Sequence, residues 1–422
     1  MKLPLRLTDL LLVFAGLDAL LAGLALQAAG HPILVALEIA TVVGLCMAYR
    51  EREHSRAGQM IMSALVLTTF ILPQVVLLLV RDPHAPIQDS LLLTEAAAGR
   101  LLSGQNPYGH DYISDPAVRS FYLPEIPVNP LLGHFVYTPG MILLAALWRI
   151  VAPGLGAGWL WPLGQTALTA SAWSLSRFGL GRAAVIAVAL CPVLLLDQLN
   201  LFNDVFFIAA GIGAVGAAGA GRRIAAGTML GASLLLKQEA VVFVPFVALL
   251  AWRAGRMAGA VRVAAVSAAV LMAGVLPFLA WDARAFAADV AGYFYSSGTG
   301  SFPIRGPGLP GLLTAVGVIP SRWSAYPAAL IQGLVALPVL GIGLLRLARR
   351  FSWPGLWAWT GLWTLALFLT GRTLAPNYLD LCIALFALGL ASHLAEVDPG
   401  GEAPRAGVKP PARDQGVVPS GA

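Results

Sequence analysis

Apolar residues run along this chain in long blocks, and only short polar segments separate them. Runs at about 8–29, 32–49 and 58–80 are set off by Lys2 and Arg6 before the first and by REREHSR (50–56) between the second and third. A helix needs roughly 20 apolar residues to cross a bilayer, and these runs supply them. Four more fall at about 138–152, 157–176, 183–197 and 201–220, and others at about 224–252, 261–281, 323–345, 355–371 and 377–395. The short alternating segments of a membrane β-barrel are missing. The pattern predicts an all-α integral membrane protein with about 11–13 transmembrane or re-entrant helices.

The breaks between runs carry the organisation. Residues 1–57 read as an N-terminal transmembrane hairpin, with the first helix retained because no small-residue cleavage site follows it. Basic loops inside place both termini in the cytoplasm, so residue 81 emerges outside. The stretch 81–137 is then a long external loop holding Asp82, Asp89, Glu95, Asp111, Asp115 and Glu125. Structureless loops of that length are usually functional. Within it, Asp89-Ser90 caps a predicted helix running to Ser103, and Gly104 stops it. Leu93, Ala97 and Leu101 share one face, so this helix is expected to lie in the membrane interface.

Two breaks are harder to read. The four runs between 138 and 220 would carry Arg222-Arg223 outside if all four crossed, against the positive-inside rule. Either one run is re-entrant or the rule fails there. Lys237-Gln238-Glu239 interrupts an apolar run and predicts two half-helices meeting at a turn buried against protein. A second external loop is expected over 282–321 and a short one over 371–378. Residues 396–422, rich in Pro, Gly and Ala, read as a disordered cytoplasmic tail.

Composition agrees. Charged residues make up 11% of the 422-residue chain, against about 25% in soluble domains. The net charge of +6 comes from arginines in short loops and signals no nucleic acid. Cys46, Cys191 and Cys382 sit in apolar runs at unrelated spacings, so neither a disulfide framework nor a metal site is indicated. His110 and His134 fit no zinc spacing. No phosphate-cradling glycine motif stands between a strand and a helix, which argues against a nucleotide-sugar site.

Several residues carry candidate chemistry. Asp89, at a helix N-terminus just above the bilayer, can act as a cap only or as a base for a hydroxyl. Arg284, Arg305 and Arg372 lie on segments placed outside, against the arginine bias, where a guanidinium can hold a phosphate or simply snorkel to headgroups. Tyr108 and Tyr137 can meet a sugar or a prenyl chain, or belong to an aromatic belt. Asp18 and Glu38, inside the first two runs, are expected to make a buried polar contact between those helices.

The order of the pieces says more than any one of them. An external Asp, an interface helix and GQNPY (104–108) are followed by HFVYTPG (134–140), LDQLNLFND (196–204), GTMLGASLLLKQEAVVFVP (227–245), SFPIRGPG (301–308) and RTLAPNYL (372–379). Over about residues 58–395 this resembles the GT-C superfamily of membrane glycosyltransferases, closest to its bacterial polyprenyl-phosphate-sugar-dependent, mannosyltransferase-like branch. The resemblance implies a GT-C fold in the bacterial inner membrane and inverting transfer of a sugar from a polyprenyl phosphate to a glycolipid or glycan acceptor outside. It implies Asp89 as the base, with Asp82 as the alternate acid, and Arg372 as the donor-phosphate ligand beside Asn377 and Tyr378. Lys237 matches the family's lysine between half-helices, and Arg305 is a further phosphate candidate. Neither a metal nor a nucleotide cofactor is expected.

Two features depart from the family pattern. The hydrophobic hairpin at about 8–49 is additional, and Asp197-Gln198 stands where Gly-Gln is commoner. From another class, a transporter or flippase for a lipid-linked solute fits the polytopic pattern with Asp18, Glu38 and the 237–239 triplet. Such carriers often show repeats and matched helix breaks. Here one break and no repeat are visible.

Overall fold

The computed structural model describes residues 5–52, 55–80, 89–115, 118, 133–293 and 301–397. Asp82, most of the second half of the first external loop and the tail from 398 onward lie outside the described residues. Every regular element among the described residues is helical, apart from one isolated parallel bridge between Arg305 and Thr373. Six helices are long and apolar enough to cross a membrane, or seven when a pair bent by 48° is counted as one span. The chain is an all-α, multi-pass membrane protein.

Helices α1 (Leu7–Ala28) and α2 (Pro32–Arg52) form the predicted hairpin. The expected polar contact between them is not made. Asp18 is fully buried with both carboxylate oxygens unbonded, and Oε1 of Glu38 is unbonded as well. Asp18 lies instead within electrostatic range of the Cys46 and Cys191 thiols, because its face of α1 turns towards the bundle interior. Helix α3 (Arg56–Val80) begins where the Ser55 hydroxyl accepts the Gly58 N–H at 3.1 Å.

The interface helix is α4 (Asp89–Leu102), ended by Gly104 at φ 71°, a left-handed value that favours glycine. Its partner is α5 (Gly140–Val151), the first of the four ambiguous runs. Gly99 of α4 leaves room for the Arg149 guanidinium, and Glu95 accepts the Ala157 N–H just beyond α5 at 2.6 Å. Helix α5 is thus 12 residues long and stays at the end of the bundle that carries α4. It does not cross.

This restores the parity. Helix α6 (Leu160–Trp173) continues through a tighter turn to Phe178, and the bent pair α7 (Gly181–Ala189) and α8 (Pro192–Leu199) returns. Helix α9 (Asp204–Gly219) then crosses again, so that Gly219 rests against Phe178 and Trp353. Arg182 donates to the Tyr49 hydroxyl at 2.9 Å, which ties this end to the last turn of α2. Arg222-Arg223 accordingly shares an end with Arg50 and Arg52, as charge bias requires. Single-cysteine labelling checks this: Arg222→Cys is expected to react from one membrane face only and Gln105→Cys from the other. Reaction of both from one face would overturn the assignment. The three native cysteines are buried and give little background.

Helix α10 (Arg223–Leu236) stops at Lys237, where the sequence breaks. A 3₁₀ turn leads into α11 (Val244–Ala287), which doubles back at Gly255-Arg256. Gly227 and Gly231 lie against Val263 and Ser267, so glycines let α10 and the second limb of α11 approach closely. A short α12 (Leu309–Ala315) precedes α13 (Ala328–Arg349), α14 (Trp353–Thr370) and α15 (Pro376–Val397). Within the bundle Gln74 donates to Gln198 and Gln198 to Gln165, joining α3, α8 and α6 by buried amides. Where no water reaches, such groups must satisfy one another. Gln198 sits at the centre of that chain.

Candidate functional site

The half-helix break, the N-terminus of α4 and the two later external segments meet at one end of the bundle. Lys237 is extended backbone (φ −158°, ψ 134°), which turns its side chain inward. Its ammonium, 3% exposed, pairs with Asp204 at the start of α9 at 2.9 Å. Asn377 of α15 donates to the other oxygen of Asp204 at 3.1 Å. The rings of Tyr137 and Phe207 flank the ammonium at 5.6 and 5.7 Å. Gln238 donates to the Val136 carbonyl, and Thr138 to the Leu234 carbonyl, which sews the HFVYTP segment onto the break.

Asp89 opens α4 beside this network and is 6% exposed. Burial pushes its carboxyl up to about 6, against the lowering effects of the Ser90 N–H and the charges of Lys237 and Arg305. A carboxylate near 6 is a better proton acceptor at neutral pH than an ordinary aspartate. Tyr137 and Tyr293 lie within its field, though burial is the first reason that both phenols are raised.

The SFPIRGPG and RTLAPNYL segments are one unit in space. Arg305 and Thr373 form the single bridge, the Leu374 N–H donates to the Arg305 carbonyl at 2.9 Å, and a side chain at Gly306 would strike the Leu374 carbonyl. Arg372 reaches from this unit to the Phe302 carbonyl and to Ser301, and burial lowers its guanidinium. On its other side lies a cavity of about 490 Å³, walled by Arg372, Gln238, Glu239 and Tyr378 together with apolar residues such as Val242 and Phe368. Polar and charged side chains thus share this space with hydrocarbon.

The remaining predicted residues divide clearly. Tyr378 stacks on Phe368 at 4.6 Å and faces the cavity. Tyr108 is packed edge-on against Phe135, Phe278 and Phe286, and its hydroxyl donates to the Tyr137 carbonyl, so it serves the core of the loop. Two acids were missed in sequence. Asp204 closes the LDQLNLFND segment, and its position two residues past an aromatic was indistinguishable from a cap. Asp289, 2% exposed, holds His134 at 2.7 Å and the Gly109 N–H at 2.7 Å. It stands 155 residues from its histidine, a separation that no local motif reveals. Compared with models of known protein families, with curated proteins and with solved structures, the chain matches none.

Proposed function

We propose that the protein transfers a sugar from a polyprenyl phosphate to an acceptor hydroxyl at the membrane surface, with inversion. The observation that carries this reading is the placing of Asp89, a buried carboxylate raised towards neutrality, in the field of Lys237 and Arg305 and within electrostatic range of Tyr378, which walls the cavity with Arg372. The cavity takes the donor, its apolar lining residues meeting the first prenyl units and Arg372 the phosphate. Asp89 accepts the proton as the acceptor oxygen attacks the anomeric carbon. The bond from that carbon to the phosphate oxygen breaks, and the electron pair leaves with the phosphate, whose growing charge Arg372 stabilises. Lys237, neutralised by Asp204, sets the potential around Asp89 and holds the break in place. By analogy with the resembled family the donor sugar is mannose, the acceptor a glycolipid or glycan, and the setting the outer face of a bacterial inner membrane.

Arg372→Gln tests the donor site. Loss of a charge-assisted contact to phosphate costs about 1.5–3 kcal/mol, so donor KM in lipid-reconstituted protein is expected to rise roughly 10- to 100-fold, with Arg372→Lys between. Unchanged donor KM in a folded Arg372→Gln protein would remove the residue from the site. The unbonded Asp18, buried inside a spanning helix, favours a second reading as a carrier of a lipid-linked solute. Labelled donor that crosses the vesicle bilayer without being consumed would favour that reading.

A further inference from the structure

His134 and Asp289 form an aspartate–histidine pair that the transfer chemistry above does not use. Asp289 lies on the last turn after α11, at Ala288–Gly292, and is buried to 2% exposure. One of its oxygens accepts the Gly109 N–H at 2.7 Å, and the other meets Nδ1 of His134 at 2.7 Å. A buried carboxylate at Nδ1 fixes the neutral imidazole as the Nδ1–H form, which leaves the Nε2 lone pair on the far edge of the ring. The His134 side chain is 32% exposed, while its Nδ1 edge faces the buried Asp289. The pair is also tied to the site. His134 lies on Tyr293 with ring centres 4.5 Å apart, Tyr293 meets Phe302 edge-on at 5.5 Å, and the Phe302 carbonyl holds Arg372. His134 does not wall the cavity beside Arg372. It stands beyond Tyr293, on the side of the external segments.

A structural clamp alone would need Asp289 and a donor, and any buried amide would serve. A partly exposed ring whose Nε2 is oriented by that contact goes further. We infer that His134 is an acceptor-binding residue: Nε2 accepts a hydrogen bond from a hydroxyl of a polyhydroxylated headgroup and fixes which neighbouring hydroxyl is presented to Asp89, with Asp289 positioning the ring. This rests on the glycosyl-transfer reading for the reaction, but not for the binding contact. The acceptor headgroup is a sugar or polyol, because in its Nδ1–H form the ring offers Nε2 to an O–H donor and such headgroups carry hydroxyls on neighbouring carbons.

His134→Asn separates the two roles. The asparagine amide can still donate to Asp289, and so keeps the clamp, while Nε2 is gone. In the full chain reconstituted with polyprenyl-phosphate mannose, with octyl mannoside as the acceptor probe, His134→Asn is expected to melt with wild type. It is expected to transfer to the mannoside at least tenfold less efficiently, through a raised acceptor KM. A His134→Asn protein that transfers like wild type would overturn the inference and leave a clamp. A second readout needs neither turnover nor a variant. Carbethoxylation of His134 in wild type, followed by peptide mass, is expected to slow in octyl mannoside, and no protection would overturn the contact. Protection without any transfer by wild type would keep the acceptor contact and remove the proposed reaction; absence of both would remove both.

Discussion

Asp89→Asn is expected to abolish sugar transfer and, at neutral pH, to make the protein more stable. The two effects share one cause. The folded environment holds the Asp89 proton up to about pH 6, whereas an unfolded aspartate releases it near about 4. Between these values the folded chain binds more protons than the unfolded chain, so stability falls as pH rises, and above 6 the whole cost remains. Two pH units correspond to about 3 kcal/mol. Asparagine has nearly the shape of aspartate and carries no charge, so the variant escapes that cost. The reaction loses its proton acceptor, for which a drop of roughly 10²- to 10⁴-fold is expected. Melting curves across pH check the stability arm: wild type is expected to converge on Asp89→Asn as pH falls below 6. A variant less stable than wild type at neutral pH would mean that the charged carboxylate is held by contacts strong enough to outweigh burial.

The second large effect concerns Lys237. Its ammonium and Asp204 are both buried, with the Asn377 amide on the second oxygen. Lys237→Met leaves a carboxylate among Tyr137, Phe207 and Asn377 without its counter-charge, and breaking such a pair costs about 3–5 kcal/mol. Asp204→Asn with Lys237→Met removes both charges, and most of that loss is expected to be recovered. Thermal melting in detergent of the two single variants and the double gives the coupling. Simple addition of the single losses in the double variant would show that the pair is not the unit holding the break together.

Much of the scaffold was legible along the chain because its signals are local. Asp89 opens α4 as its first residue and Gly104 follows its end, and Lys237 marks the end of α10, where charge interrupts an apolar run. The parity of the middle runs was not legible. Helix α5 is as apolar as a spanning segment but only 12 residues long, and it docks on α4 through Gly99, Arg149 and Glu95. Hydropathy measures a segment's fit to hydrocarbon and is blind to a partner helix that supplies the same cover.

The site divides along the same line. Asp89, Arg305 and Arg372 stood out as charges on segments placed outside and Lys237 as part of a charged break, whereas Asn377 and Tyr378 entered through the family resemblance. Their relations were not visible, because Asp204 and Asp289 act on residues far away in sequence, and Asp18 and Glu38 turned out not to meet. Tyr108 shows the opposite limit. A tyrosine near an interface reads as a ligand contact or as a belt residue, and only its three aromatic neighbours place it in the core.

The most direct test is product formation in lipid vesicles by wild type and Asp89→Asn, from labelled polyprenyl-phosphate mannose and envelope glycolipid acceptors, followed on both sides of pH 6. Wild type is predicted to form labelled glycolipid at a rate that rises with pH through about 6, while the variant forms none at any pH. Product from the variant at the wild-type rate, or none from wild type with any acceptor supplied, would contradict Asp89 as the base in the first case and sugar transfer itself in the second.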